Sequence, residues 1–535
     1  MSTEAVSPSR SAATLPEARS APTPSTARVD WLVDNADAYA ELLRAIRTAR
    51  RSICISQLAF DADCVAEPAH RIGRNEGTSS DALLADAVLE VAARQPVDVR
   101  ILLNASVLLN TARPLHRFFA SNSRTDRPIR VRGMNRFPAL LHAKMVLIDG
   151  REAFLFGSPF VNGYFDDRFH HPVDARRPSR ELGGRPVHDL SVRVTGPAVR
   201  QLELIFAELW ADSSAVPEDE RHTDPAEPPL ARANAKTGAL RMARSVPRNG
   251  SSRSPGGETD ILSEMLMGLD RARSCIYIEA QYLSAPSIVS ALTRAPDRHR
   301  SLELILVLNQ NPDVTAYRRW QNRRLTDSGL LTHARVGVFA LWSTDRAKDG
   351  SGSTLINQLF VHSKVMMIDD RWVTVGSANL DGVSLDSYGN DFTSRIGRRV
   401  FRNVRNFDVN IVLDTAAGAD HLADSVRELR TRLWAEHLGM RRDRLAAAPA
   451  GGWLQFWRGC ASRNVAALSL ANRRGTAEPP AEGGGFVMPY STRSTPAQQL
   501  ADLGIRVDSR NLRLQFDPGW LEVHCSPNWV RNMFL

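Results

Sequence analysis

LHAKMVLID at residues 141–149 and VHSKVMMID at residues 361–369 repeat one spacing of histidine, lysine and aspartate, an H-x-K-x4-D pattern in each half of a 535-residue chain. The correspondence continues outward. A Gly-Ser pair follows each copy, at Gly157-Ser158 and Gly376-Ser377, and an acidic residue keeps step after it. Asp189 lies 47 residues beyond His142, and Asp408 lies 46 beyond His362. Five features in the same order, twice, indicate an internal duplication. Of the 68 basic side chains only four are lysine, at 144, 236, 348 and 364, and two of those four fall at matching motif positions.

Periodicity places the motifs on a framework. Apolar spacing predicts a helix over 36–50, then strands over 52–56 and 97–103; the second half repeats this plan as a helix over 261–272 and strands over 275–279 and 302–308. Each motif histidine is expected to begin a strand, over 142–148 and 362–368. Alternating strands and helices predict an α/β fold of two halves, each a mostly parallel sheet flanked by helices, related by a pseudo-twofold axis that brings the motifs to one interface. The expected division is a disordered leader over 1–28, a first half over 29–212, a polar linker over 213–258, a second half over 259–440 and an extension over 441–535.

These residues resemble the phospholipase D superfamily, whose members carry paired HxKxxxxD motifs. Finer marks of the resemblance are Ile278-Glu279-Ala280-Gln281-Tyr282 and Gly376-Ser377-Ala378-Asn379-Leu380-Asp381, with Arg244-Ser245-Val246-Pro247-Arg248 leading into the second half. The resemblance covers most of residues 29–440. It implies cleavage of a phosphodiester through a covalent phosphohistidine, which splits one hard displacement into two easier ones. By the family pattern His142 is the nucleophile and His362 the acid that protonates the leaving oxygen, a role worth typically ~10²–10⁴-fold.

Lys144 and Lys364 would hold positive charge beside the phosphoryl oxygens, and donors from Ser158, Ser377, Asn379 and Asn162 would complete the anion cradle. Asp189 and Asp408 are the candidates to fix each imidazole's tautomer. Asp149 and Asp369, next to Gly150-Arg151 and Asp370-Arg371, read as structural turn residues. No metal or other cofactor is expected.

The chain departs from the family at several points. Asp408 stands where the family often has Glu, one methylene shorter in reach. Phe160 replaces the expected amide after Gly157-Ser158, so that Asn162 would have to reach in from two positions later. Val187 replaces a common tryptophan. Insertions over 343–357 and 384–405 flank the second motif, and long loops at a site's mouth often set substrate choice. The segment Asp166-Asp167-Arg168-Phe169-His170-His171-Pro172-Val173-Asp174 has metal-like density of ligands, but polar residues are expected in a variable loop there and no metal is assigned to it.

Composition, at 43% hydrophobic and 24% charged, suits a globular chain with a sizeable core. No run of about 18 apolar residues or secretory signal is evident. This predicts a cytoplasmic or peripherally membrane-bound monomer. Five cysteines without a CxxC pair read as buried reduced thiols. The net charge of +9 suits an anionic membrane or a nucleic acid equally. The aromatic and arginine-rich stretch over 317–324 reads as a solvated helix face or the rim of an anion site. Aromatic clusters after 441 are expected to pack on the catalytic halves rather than enter lipid.

The resemblance implies a phospholipid substrate, with hydrolysis or phosphatidyl transfer to an alcohol, as in cardiolipin synthesis, and no nucleic-acid partner. The alternatives are a nuclease acting on DNA or RNA and a non-catalytic lipid-binding protein.

Overall fold

The computed structural model describes residues 27–68, 81–106, 109–123, 129–136, 139–178, 182–216, 239–313, 315–386, 395, 405–417, 422, 424–474, 484–507 and 510–516. The expected leader, most of the 384–405 insertion, Cys525 and the final aromatic cluster fall outside this set.

The first half builds β1 (Arg28–Val33), α1 (Asn35–Thr48), β2 (Ser52–Ser56), α2 (Leu84–Arg94), β3 (Asp98–Asn104), α3 (Ala112–Asn122), β4 (Arg130–Met134), β5 (Met145–Ile148), β6 (Glu152–Leu155), β7 (Leu190–Thr195) and α4 (Ala198–Ala211). The second builds β8 (Leu240–Val246), α5 (Asp260–Arg271), β9 (Cys275–Ala280), α6 (Pro286–Arg298), β10 (Glu303–Leu308), α7 (Thr315–Asp327), β11 (Val336–Arg346), β12 (Lys364–Ile368), β13 (Trp372–Gly376), β14 (Asp408–Asp414) and α8 (Ser425–Leu438). Strand order in the first sheet is β1-β7-β6-β5-β2-β3-β4, and in the second β8-β14-β13-β12-β9-β10-β11. The two runs correspond strand for strand in order.

The sheets are mixed, which corrects the expectation of mostly parallel ones. Only β2-β3-β4 and β9-β10-β11 pair in parallel within these runs, because only there do helices supply the crossovers. The motif strands instead turn straight back as hairpins, β5 onto β6 and β12 onto β13. Asp149 and Gly150 have φ of 56° and 65°, and Asp369 and Asp370 have 55° and 57°, with both central residues in the left-handed region as a type I′ hairpin requires. Asp149 accepts backbone hydrogen bonds from Arg50, Arg51 and Ser52. Asp369 does the same for Arg273, Ser274 and Cys275. Each motif aspartate therefore ties its hairpin to the start of the neighbouring strand.

Side chains along the motif strands alternate between two apolar layers, as a period of two demands. Met145 and Leu147 join a core shared with Val365, Met367 and Val409 of the second sheet, while Val146 and Ile148 face the helices α1 and α2. The two halves thus share one continuous apolar layer, and helices cover their outer faces.

Two segments expected to be irregular contain strands. Within the expected linker over 213–258, β8 pairs with six residues of β14. The 343–357 insertion is largely a hairpin, since β11 runs to Arg346 and Thr354–Gln358 pairs back on it. Beyond 441, helix α9 (Gly452–Arg474) buries Trp457 against Trp434 and Tyr277, and Gly485–Pro489 adds a strand to β11. Cys54, Cys64, Cys275 and Cys460 are free thiols. Among the described residues no helix is long and apolar enough to cross a membrane.

Candidate active site

The strand order brings the two motifs together, and the backbone crosses between halves at that point. His142 N donates to Phe407 O (3.0 Å), and Phe407 N donates to Leu140 O (2.9 Å). On the other side His362 N donates to His188 O (2.8 Å), within a two-residue parallel pairing of Val187–His188 with Phe360–Val361. The histidines themselves precede β5 and β12, which begin at Met145 and Lys364. Each histidine is therefore stitched beside the acidic segment of the opposite half.

That stitching produces crosswise pairs. His142 Nδ1 lies 2.7 Å from Asp408 Oδ1, and His362 Nδ1 lies 3.0 Å from Asp189 Oδ2. The aspartate at 408 thus spans the distance despite its shorter side chain. With a carboxylate at Nδ1, the Nδ1–H tautomer is favoured and each Nε2 carries the ring's free lone pair. His362 Nε2 is buried with no hydrogen-bond partner among the described residues.

Ser158 and Ser377, expected as phosphate donors, spend their hydroxyls on these carboxylates: Ser158 on Asp189, and Ser377 on Asp408 at 2.8 Å. Ser158 also receives the Asn35 amide at 3.0 Å. Asn162 is a correction. Its amide accepts from Val65 N (2.8 Å) and donates to Asp63 O (2.8 Å), so it fastens a loop of the first half and does not point to the histidines. Asn379, expected as a phosphate donor, has its Oδ1 buried and without a hydrogen-bond partner among the described residues. Gly157 and Gly376 have a steric reason. A Cβ at 157 would overlap the Asp189 carboxylate, and one at 376 would overlap Val409 O.

Both lysines are buried. Lys144 Nζ donates to His142 O at 3.2 Å, and Lys364 Nζ donates to His362 O at 2.5 Å and Gln281 Oε1 at 3.2 Å. Gln281, on the segment after β9, is a lysine-orienting residue that the motif alone does not identify. Burial, together with the positive charge of Lys144, lowers His142 to about 4 against the opposing pull of Asp408. Burial and Lys364 lower His362 to about 3. Both imidazoles are neutral at pH 7. Burial brings Lys364 down to about 8, opposed by Asp189, Asp313 and Asp408, and Lys144 is likewise held well below the usual lysine range. Burial pushes Asp189 and Asp408 up, but the histidine, lysine and serine beside each carboxylate together hold it below the usual carboxylate range.

The two lysines and two histidines thus feel one another's charge where the halves meet, and each histidine is backed by a hydrogen-bonded carboxylate. The arrangement suits binding of an anion whose bound charge would draw a proton onto one imidazole.

A second network lies behind His362. Ser363 Oγ donates to Glu279 Oε2 (2.5 Å), and Glu279 also contacts His188 and His437. His437, on α8, carries no local sequence signal for this contact. Along α7, Tyr317 stacks on Tyr282 with ring centroids 4.1 Å apart.

Comparison with known proteins follows the same residues. A family model described as cardiolipin synthase, PLD-like domain, matches residues 265–430, which include His362, Lys364, Asn379 and Asp408. Phospholipase D A of Dictyostelium discoideum is 25% identical over 363 residues, covering 56% of this chain and 27% of that protein. Phospholipase D alpha 1 of Cynara cardunculus is 24% identical over 382 residues, 56% and 46% of the two chains. Cardiolipin synthase B of Shigella flexneri is 26% identical over 247 residues, 46% and 49%. The chain spans less than half the length of these relatives. Among solved structures, phosphatidylserine synthase of Haemophilus influenzae Rd KW20 aligns over 76% of this chain and 86% of its own, at 12% identity and a TM-score of 0.49. The family model covers the second motif and relatives under both enzyme names align beyond it, so residues 265–430 carry a phospholipase D-like domain and the chain as a whole is similar to phospholipases D and cardiolipin synthases.

Proposed function

We propose that the chain cleaves a glycerophospholipid at its phosphodiester and hands the phosphatidyl group to water or to an alcohol. The observation that carries this reading is the crosswise pairing of His142 with Asp408 and His362 with Asp189, beside two buried lysines. The lipid preference rests on the phospholipase D and cardiolipin synthase names of its relatives.

In the first step the Nε2 lone pair of His142 attacks phosphorus, and the bond to the leaving alcohol breaks. His362, protonated once the phosphate anion is bound, gives its Nε2 proton to the departing oxygen. In the second step neutral His362 takes the proton of water or of an acceptor alcohol. That oxygen attacks phosphorus, and the P–N bond returns its electron pair to His142. Lys144, Lys364 and Asn379 stabilise the charge on the non-bridging oxygens. Ser158 and Ser377 act one layer back, by holding the carboxylates. Access of the protein to its substrate would be from the surface of a membrane.

The test offers phosphatidylglycerol, phosphatidylethanolamine and phosphatidylcholine vesicles alongside single-stranded DNA, without added metal, to wild type, His142→Ala and His362→Ala. Phosphatidic acid or cardiolipin formed by wild type and lost in both variants is the expected result, and the product separates hydrolysis from transfer. DNA cleavage with inert lipids would move the chain to a nuclease reading.

A further inference from the structure

Behind Asp189, four side chains from four separate places converge. Asp34 immediately precedes α1, His170 belongs to the segment after the Gly157-Ser158 pair, His188 adjoins Asp189, and Glu436 lies on α8. Asp34, His170 and His188 are buried, and Glu436 nearly so. Their donor atoms all lie within 4.8 Å of one another. Glu436 Oε1 is 3.1 Å from His170 Nε2 and 3.0 Å from His188 Nδ1. Asp34 Oδ1 is 3.1 Å from His188 Nδ1, and Asp34 Oδ2 is 3.5 Å from His170 Nε2.

We propose that Asp34, His170, His188 and Glu436 form a closed, structural site for a divalent transition-metal ion, zinc foremost. Ligands about 2.0–2.2 Å from a tetrahedral zinc are separated from each other by roughly 3.3–3.6 Å. The four histidine–carboxylate separations are 3.0–3.5 Å, with Asp34 offering Oδ1 to His188 and Oδ2 to His170, and one donor atom from each residue lies within 4.8 Å of all the others, a spacing that small side-chain rotations bring to that of a bound ion. Hydrogen bonding accounts for the cluster less well. Each ring presents one nitrogen to it, so at most two N–H groups face four short N···O contacts. Asp34 Oδ2, on a side chain 2% exposed, makes no hydrogen bond among the described residues and is turned into the cluster.

The outer contacts of both rings have the form of a second shell around a metal. His170 Nδ1 is held at 3.0 Å by Asp166 Oδ2, and that carboxylate is in turn bound by Arg177 (2.6 Å) and by Val187 N (2.7 Å). His188 Nε2 is held at 3.1 Å by Glu279, which is itself bound by Tyr277 and His437. A carboxylate at the outer nitrogen of each ring fixes the tautomer so that the inner nitrogen presents its lone pair to the ion. Asp34 and Glu436 neutralise a divalent ion, and Arg177 neutralises Asp166.

The backbone is bent to make the site: Asp34 and His170 both sit at positive φ, 63° and 45°, in a region where side chains are disfavoured. A donor set of two imidazoles and two carboxylates suits zinc, with cobalt as its spectroscopic substitute. With four protein ligands and no open position the ion would have no catalytic duty. It would instead pin α8 of the second half to three points of the first, directly behind the Asp189 carboxylate that orients His362. The motif segment over 166–174 supplies only His170 to the ion; Asp166 serves the outer layer, while Asp167 and Asp174 pair with Arg176.

Full-length protein purified from zinc-supplemented culture and passed over a chelating resin tests this by elemental analysis and zinc X-ray absorption. The expected result is one zinc per chain, ligated by two imidazoles and two oxygens, with the loss of that zinc in folded Glu436→Gln. Prolonged exposure to dipicolinate is expected to lower the melting temperature, and zinc but not magnesium to restore it. Cobalt is expected to give the visible bands of a tetrahedral ion in wild type. Because the absorption measurement uses wild type alone, a variant that fails to fold leaves the test intact. Folded wild type without stoichiometric transition metal, sulfur in the ligand set, or a melting temperature indifferent to chelation would each overturn the proposal.

Discussion

Replacing Asp408 with asparagine removes one charge and keeps the shape. Asp408 is fully buried, and its Oδ1 lies 2.7 Å from His142 Nδ1, so solvent does not screen the loss. A hydrogen bond to a charged group is worth about 1.5–3 kcal/mol, or roughly 10–150-fold in rate if it is realised in the transition state. The amide can also turn its NH₂ toward Nδ1, which moves the imidazole proton to Nε2 and removes the attacking lone pair. With that wrong tautomer the total loss in kcat reaches ~10²–10⁴-fold.

The sign of the pKa effect separates orientation from protonation. Asp408 raises His142, so its removal drives a value of about 4 lower still, and the ring is neutral near pH 7 in both forms. The loss should therefore be the same from about pH 6 to 8, with KM little changed. The assay is kcat and KM for phosphatidyl release from vesicles, with circular dichroism to establish folding. Folded Asp408→Asn with kcat within about threefold of wild type would refute the orienting role.

Three further outcomes follow from the same geometry. Lys364 is lowered to about 8, chiefly by burial, so kcat/KM should fall as pH rises through that value and its positive charge is lost; a profile flat to roughly pH 10 would contradict this. Gly157→Ala places a methyl group into the Asp189 carboxylate and should reduce kcat by more than about tenfold while the far-ultraviolet dichroism of the fold is retained. Trp457→Ala, at a fully buried position against Trp434 and Phe339, should cost about 3–5 kcal/mol, read as a drop in the urea midpoint; a midpoint unchanged from wild type would mean that α9 is not part of the core.

Local pattern carried the reading of the sequence some distance. Helix α1 and strands β2, β9 and β10 lie within two residues of the periodicity at each end, because each has an apolar rhythm of its own. The direction of strand pairing was not legible, since β5 and β12 are apolar on both faces and read alike in parallel or antiparallel sheets. Asp149 and Asp369 announce their turns through their neighbours. Asn162 misled because the sequence gives a distance along the chain and says nothing about which backbone groups will claim an amide. Which aspartate serves which histidine was equally hidden. That exchange is settled by two short backbone pairings, at Leu141 with Phe407 and at His188 with Val361, between segments hundreds of residues apart or nearly so. Glu436 and His437 have no motif at all, only a place on a helix that happens to pass the opposite half.

The exchange of carboxylates between the halves also bears on how such a chain can change over time. After a duplication, one copy is ordinarily free to decay while the other preserves the activity. Here neither copy owns a complete histidine and carboxylate pair, so damage to Asp189 is felt at His362 and damage to Asp408 at His142. Selection then acts on both copies through either, which keeps the two motifs from drifting apart even though the sequences around them have diverged. It also predicts complementation in trans: a chain disabled at His142 and one disabled at His362 could restore each other only by trading whole halves, never by simple mixing of folded molecules.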